Sequence, residues 1–127
     1  MEDKGILIDS DIIIWILRGN EKTLAQFKKL FEQSPLYTTP VTVAEIWAGA
    51  RKNEEKIITD IFQSVEVLPI DKQIGIRAGE FIHKFSRSHS VELADALIAS
   101  SVINYDLRLW TMNIKHYPML KKNQFAP

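Results

Sequence analysis

The chain has 127 residues, of which 46% are hydrophobic and 25% charged, and its 16 Lys and Arg residues balance 16 Asp and Glu residues. This length predicts one domain, residues 1–127, and the even charge gives no overall attraction to nucleic acid. The absence of cysteine excludes a disulfide scaffold, a thiolate zinc site and a cysteine nucleophile. The longest apolar run, residues 12–17, is too short to span a bilayer, and residues 1–4 lack a secretion-signal pattern. We therefore expect a cytoplasmic protein without a membrane partner.

Apolar runs and helical patterns alternate along the chain. The runs predict strands at residues 5–9, 36–38, 65–68 and 107–111. The helical patterns predict helices at residues 11–17, 20–33, 40–50, 54–64, 71–85 and 91–104, with a short helix after Asn113. Ser10 or Asp11 is expected to cap the first helix and Ser90 the last long one. This alternation predicts an α/β fold with a central, mainly parallel sheet flanked by helices on both faces.

Four polar residues stand at unusual places in this pattern. Asp9 directly follows the first strand, and Asn113 comes two residues after the last one. Glu45 lies in the second turn of a helix that starts just beyond a strand, and Asp95 is embedded in an otherwise apolar helix. Ligands of open parallel sheets bind beyond the carboxyl ends of the strands. These four residues are therefore the candidates for a functional site.

Carboxylates gathered at one sheet edge indicate a bound cation. They would repel each other and raise each other's pKa unless a positive charge compensated them. Oxygen-only ligands suit Mg²⁺ or Mn²⁺. Such an ion activates water and stabilises charge on a phosphoryl centre, so the pattern favours metal-assisted phosphodiester hydrolysis.

Each of these residues also has a purely structural interpretation. Asp9 alone could cap a helix, Glu45 could be an exposed helix carboxylate, and Asn113 could be a turn residue. Asp95 is harder to explain in this way, because Asp is rarely buried without a partner. Whether Asp11 or Glu92 joins the site stays open, since each also fits a capping position.

The last part of the chain is basic. After Asp106 it carries Arg108, Lys115, Lys121 and Lys122 and no acidic residue. This region could contact phosphates, or it could be a solvated edge of the domain.

Four stretches in order, residues 7–11, 42–50, 95–99 and 109–113, resemble the PIN-domain family, and more specifically the VapC-type toxin ribonucleases. The resemblance implies a PIN-like three-layer sandwich and an endoribonuclease dependent on Mg²⁺ or Mn²⁺. It implies that Asp9, Glu45 and Asp95 coordinate the metal and that Thr111 orients the acidic cluster.

The resemblance also bears on metal number and on partners. Asn113 stands where the family has Asp or Asn, and because an amide carries no charge, it leaves open whether the site holds one metal or two. The implied partners are an RNA substrate such as tRNA, a second copy of the chain in a homodimer, and a cognate antitoxin whose tail enters the acidic groove.

Two alternatives remain at this point. Asp9 and Asp11 after an aliphatic strand also resemble the nucleophile and general acid of haloacid-dehalogenase-type phosphatases, although the aliphatic residues 12–14 and the short chain depart from that pattern. The chain could instead be a PIN domain that binds RNA or a protein without turnover. The presence of Asp9, Glu45 and Asp95 favours catalysis.

Overall fold

The computed structural model describes residues 4–127, so the opening residues 1–3 lie outside it. The strands are β1 (Ile6–Ile8), β2 (Leu36–Thr38), β3 (Glu66–Val67) and β4 (Arg108–Trp110). The helices are α1 (Ser10–Leu17), α2 (Glu21–Gln33), α3 (Pro40–Ala48), α4 (Glu55–Ser64), α5 (Lys72–His89) and α6 (Leu93–Asn104). Short 3-10 turns cover Lys52–Glu54, Ile114–His116 and Lys122–Gln124. None of the helices described is long and apolar enough to cross a membrane.

The four strands form one sheet in the order β3-β2-β1-β4. Every neighbouring pair is parallel, with Ile6 opposite both Leu36 and Arg108 in the register of the central strand. All four carboxyl ends therefore lie along one edge, as the alternation of strands and helices predicts.

The central strand separates two apolar layers. Ile6 and Ile8 face a cluster that includes buried residues of α1, α2 and α4. Leu7 points the other way, into a cluster with Leu109 and with residues of α6. Because alternate side chains of a strand leave opposite faces of the sheet, β1 is buried from both sides. The predicted three-layer α/β sandwich is confirmed.

Two predicted helix starts differ from the structure. The cap of α1 is Asp9, whose Oδ1 accepts a hydrogen bond from the Ser10 backbone N–H, rather than Ser10 or Asp11. Ser90 does not start α6 but ends α5, with a left-handed φ of 53°. Helix α6 begins only after Glu92, and this later start places Asp95 in its first turn.

Gly5 lies where the chain has no room for a side chain. A Cβ at this position would overlap the Tyr37 ring and approach Leu107 Cδ2 to 3.0 Å. Gly5→Ala is therefore expected to lower the free energy of unfolding by about 1–3 kcal/mol, the usual cost of overpacking. Gly75→Ala is the matched control, because a Cβ there meets no atom within 4 Å and a helix gains up to about 1 kcal/mol from alanine. Urea unfolding of both variants measures the difference, and equal stability would contradict this account of Gly5.

Candidate active site

Asp9 is the centre of the hydrogen-bond network at the carboxyl edge of the sheet. It directly follows β1 and is only 6% exposed. Its Oδ1 accepts from the Ser10 backbone N–H at 2.8 Å. Its Oδ2 accepts from Thr111 Oγ1 at 2.9 Å and from the Tyr117 hydroxyl at 2.8 Å. These donors come from α1 and from the segment after β4, so they fix the carboxylate between the two neighbouring strand ends.

Asp11 belongs to the same network. Its Oδ2 accepts from the Met112 backbone N–H at 2.8 Å and lies 3.4 Å from Thr111 Oγ1. Its Oδ1 is buried and has no hydrogen-bond partner among the described residues. Burial, and next the negative charge of Asp9, raise the pKa of Asp11. The structure thus places Asp11 beside Asp9 with one carboxylate oxygen unsatisfied.

Glu45 approaches the network from α3, where its residue is exposed. Partial burial of the carboxylate raises the pKa of Glu45, and the negative charges of Asp9, Asp95 and Glu92 raise it further. The Ser10 side chain acts in the opposite direction and lowers it. Glu45 thus feels acids from two other parts of the chain, Asp9 after β1 and the pair at the start of α6.

Asp95 is partly buried in the first turn of α6. Its Oδ2 accepts from the Glu92 backbone N–H at 3.3 Å. Burial raises the pKa of Asp95, the charges of Asp9 and Glu92 raise it further, and His116 lowers it. Burial is thus the main reason why the charged form of Asp95 is disfavoured.

Thr111 links the polar residues after β4 to the acids. Its Oγ1 donates to Asp9 and accepts from the Asn113 backbone N–H at 3.0 Å. The Asn113 residue itself is exposed, so only its backbone amide takes part in this network. Of the five residues that the sequence nominates, the structure joins Asp9 and Thr111 directly, adds Glu45 and Asp95 through charge, and leaves the Asn113 side chain at the rim.

The donor set fits a divalent cation, although it is not assembled as a finished coordination sphere. Within residues 4–127, no group of three or more His, Cys, Asp or Glu side chains is arranged to hold a metal ion. Yet Glu45, Asp95 and Asp11 all have raised pKa values, and Asp11 Oδ1 is buried without a donor. Uncompensated carboxylate oxygens are what Mg²⁺ and Mn²⁺ bind.

Tyr117 is the residue that sequence analysis missed. It is 2% exposed, and its hydroxyl donates to Asp9 across 108 positions of sequence. Burial, together with the charge of Asp9, raises the pKa of this phenol well above its usual value, so the group keeps its proton and stays a donor. The only hint in the sequence is an aromatic residue that directly follows Lys115 and His116.

The PIN domain profile matches residues 6–117. The chain is 34% identical over 118 residues to Ribonuclease VapC10 of Mycobacterium tuberculosis, covering 92% of this chain and 89% of that protein. It is 25% identical over 123 residues to Ribonuclease VapC1 of Methanocaldococcus jannaschii, covering 95% and 85%.

Among solved structures, the fold is similar to VapBC2 from Rickettsia felis bound to a promoter DNA fragment, with a TM-score of 0.76, 19% identity and 96% of each chain covered. It is also similar to a toxin–antitoxin complex from Klebsiella pneumoniae, with a TM-score of 0.75, 21% identity and 96% of each chain covered. The profile match and the mycobacterial relative both span most of the sequence. This chain therefore belongs to the PIN-domain family.

Proposed function

We propose that this protein is a divalent-metal-dependent endoribonuclease that acts as the toxin of a toxin–antitoxin pair. The observation that carries the proposal is the group of acids around Asp9, at the carboxyl edge of the sheet in a chain of the PIN-domain family. The similarity to VapC ribonucleases supports RNA as the substrate. A haloacid-dehalogenase-type phosphatase is not supported, because the PIN profile covers residues 6–117.

In this proposal Asp9, Glu45 and Asp95 hold Mg²⁺ or Mn²⁺. When bound, the cation lowers the pKa of a water molecule and neutralises developing charge on the phosphodiester. Thr111 keeps Asp9 oriented, since its hydroxyl donates to Oδ2 and leaves Oδ1 with a single protein donor. Asn113 lies beside the acids and offers a neutral amide to the RNA or to a second ion.

Asp11 supports this site from beside Asp9 without being one of the three proposed metal ligands. Its Oδ2 is held by the Met112 backbone N–H, whereas its Oδ1 has no donor among the described residues. A buried carboxylate oxygen without a partner costs free energy unless a cation or a metal-bound ligand satisfies it. Asp11 is thus placed to add negative charge to the cation site that Asp9 begins.

The proposed protein partners are a cognate antitoxin and a second copy of the chain. Solved structures with the same fold are VapBC and other toxin–antitoxin complexes. Trp15 on α1 and Trp47 on α3 are 42% and 41% exposed, and these two helices pack side by side. Exposed aromatic area of this kind favours a surface that another protein covers. A tRNA or another structured RNA is the proposed substrate.

Purified protein incubated with total cellular RNA and Mg²⁺ or Mn²⁺ tests this function. We expect discrete fragments that disappear with EDTA and in the Asp95→Asn variant, because both remove part of the cation site. Asp60→Asn is the matched control and should cleave like the wild type, since this exposed α4 residue lies outside the acidic network. Intact RNA in every lane, bound but not cut, would instead identify an RNA-binding PIN domain.

A further inference from the structure

A cavity borders the acidic cluster at Tyr117. It has a volume of about 770 Å³ and is lined by residues of the Ile114–His116 turn, the following loop and the segment from Lys122 to Pro127. His89, at the end of α5, forms part of its rim. Its volume falls in the range of small-ligand sites.

The charged side chains that line this cavity are basic, opposite in sign to those of the acidic cluster. Lys115 and Lys122 line it, both exposed, and its lining within residues 4–127 includes no Asp or Glu side chain. The ion pair found in the described part of the chain joins Lys4 to Asp106, so neither lysine has a carboxylate partner within 4 Å there. Phe125 and Ile114 add apolar surface to the lining. Unpaired cations beside an aromatic ring are the usual means of binding a single nucleic-acid strand.

The cavity and the acidic cluster share a wall. Tyr117 lines the cavity, and its hydroxyl donates to Asp9. Lys115 follows Asn113 by two residues, in the same turn that brings His116 near Asp95. The cavity therefore borders the residues that hold Asp9 in place.

We propose that this cavity binds a single-stranded nucleotide next to the scissile phosphate, with Lys115 and Lys122 on the RNA phosphates and Phe125 against the base. The placement of this cavity next to the scissile phosphate rests on the proposed nuclease function. A cluster of carboxylates repels RNA, and a neighbouring cationic site offsets that repulsion and fixes the strand. The contacts are to phosphate and to the face of a base, so the affinity of this cavity should depend little on the RNA sequence.

Binding is measured without cleavage in the Asp95→Asn background with EDTA, using fluorescein-labelled oligouridine over a series of salt concentrations. Adding Lys115→Ala and Lys122→Ala is expected to raise Kd several-fold. It should also reduce the slope of log Kd against log salt by about 1.4, since each phosphate contact to a single strand contributes about 0.7. The matched control adds Lys28→Ala and Lys29→Ala, which remove the same charge from the exposed side of α2. Phe125→Leu should weaken binding without changing the salt slope.

Equal Kd and slope for the two lysine pairs would overturn the proposal, as would failure of the Asp95→Asn protein to bind oligouridine at all. If the Lys115 and Lys122 changes leave RNA binding intact but prevent capture of the antitoxin, the cavity is a protein interface and the proposal is wrong. The nuclease function is tested separately by wild-type cleavage of total RNA. A protein that binds through these lysines but never cleaves would refute the function and keep the RNA site.

Discussion

Asn in place of Asp9 is expected to lower metal-dependent RNA cleavage by about a hundredfold or more, the scale on which a lost electrostatic group at a reaction centre acts. Both carboxylate oxygens of Asp9 accept hydrogen bonds, Oδ1 from Ser10 and Oδ2 from Thr111 and Tyr117. An amide has only one acceptor oxygen, so its NH₂ group either faces the Ser10 N–H, which can only donate, or replaces Oδ2 and forces the Thr111 and Tyr117 hydroxyls to give up their donor roles. The Asp9→Asn variant loses the charge that binds the cation and also the hydrogen bonds that orient the side chain.

This variant is also expected to be less stable, by about 1–3 kcal/mol for the unsatisfied buried groups. The rate must therefore be expressed per folded molecule, with folding checked by circular dichroism. Wild-type cleavage by folded Asp9→Asn protein would remove Asp9 from the site. Asp60→Asn again serves as the control for a loss of charge elsewhere on the surface.

Tyr117→Phe tests how much the orientation of the Asp9 carboxylate contributes to RNA cleavage when its charge is kept. It keeps the ring in the apolar layer and removes one of the two donors to Asp9 Oδ2, while Thr111 retains the other. Loss of such a supporting hydrogen bond typically costs about 10–100-fold in metal affinity or activity. We expect weaker Mn²⁺ binding, measured by electron paramagnetic resonance, with partial activity that higher Mn²⁺ restores. A purely structural role for the hydroxyl would lower stability and leave Mn²⁺ affinity unchanged.

The acids could be predicted because each interrupts a regular pattern. Asp9 ends an aliphatic strand, and Asp95 interrupts an apolar helix, so their chemistry stands out against their neighbours. Parallel strands then bring such residues to one edge whatever the detailed packing. The alternation of elements in the sequence likewise implies the two-sided sheet, since each crossover needs a helix.

The remaining features depend on contacts that sequence spacing does not encode. Tyr117 and Met112 reach the acids because β4 lies next to β1, and nothing in their local sequence reports that neighbour. Ser90 has the residue type of a helix start, but the backbone reverses there with a positive φ, which ends α5 instead. The distance between Glu45 and the other acids likewise depends on helix packing and side-chain rotation.

Asp95→Asn is expected to raise the thermal stability of the metal-free protein at pH 7. Folding raises the pKa of Asp95 above its ordinary 3.8, chiefly through burial. Between the ordinary and the raised value the folded chain holds more protons than the unfolded chain, so stability falls as pH rises through that window. The free-energy cost of burying the charged Asp95 carboxylate is fully present above this pH window and vanishes below it. The advantage of the variant should therefore shrink as the pH is lowered towards 4.

A divalent cation should make the wild type more stable than the Asp95→Asn protein, the reverse of the order expected without metal. Mn²⁺ at a concentration a hundredfold above its Kd adds about 2.7 kcal/mol to the wild type, because it binds the folded state alone. The Asp95→Asn protein lacks one proposed ligand and should gain much less. Thermal melts with EDTA and with Mn²⁺, at pH 7 and near pH 4, measure both effects, with Asp60→Asn as the control. Equal Mn²⁺ stabilisation of both proteins would show that Asp95 is not a ligand, whereas a lower metal-free melting temperature for the variant would show that its charge stabilises the fold.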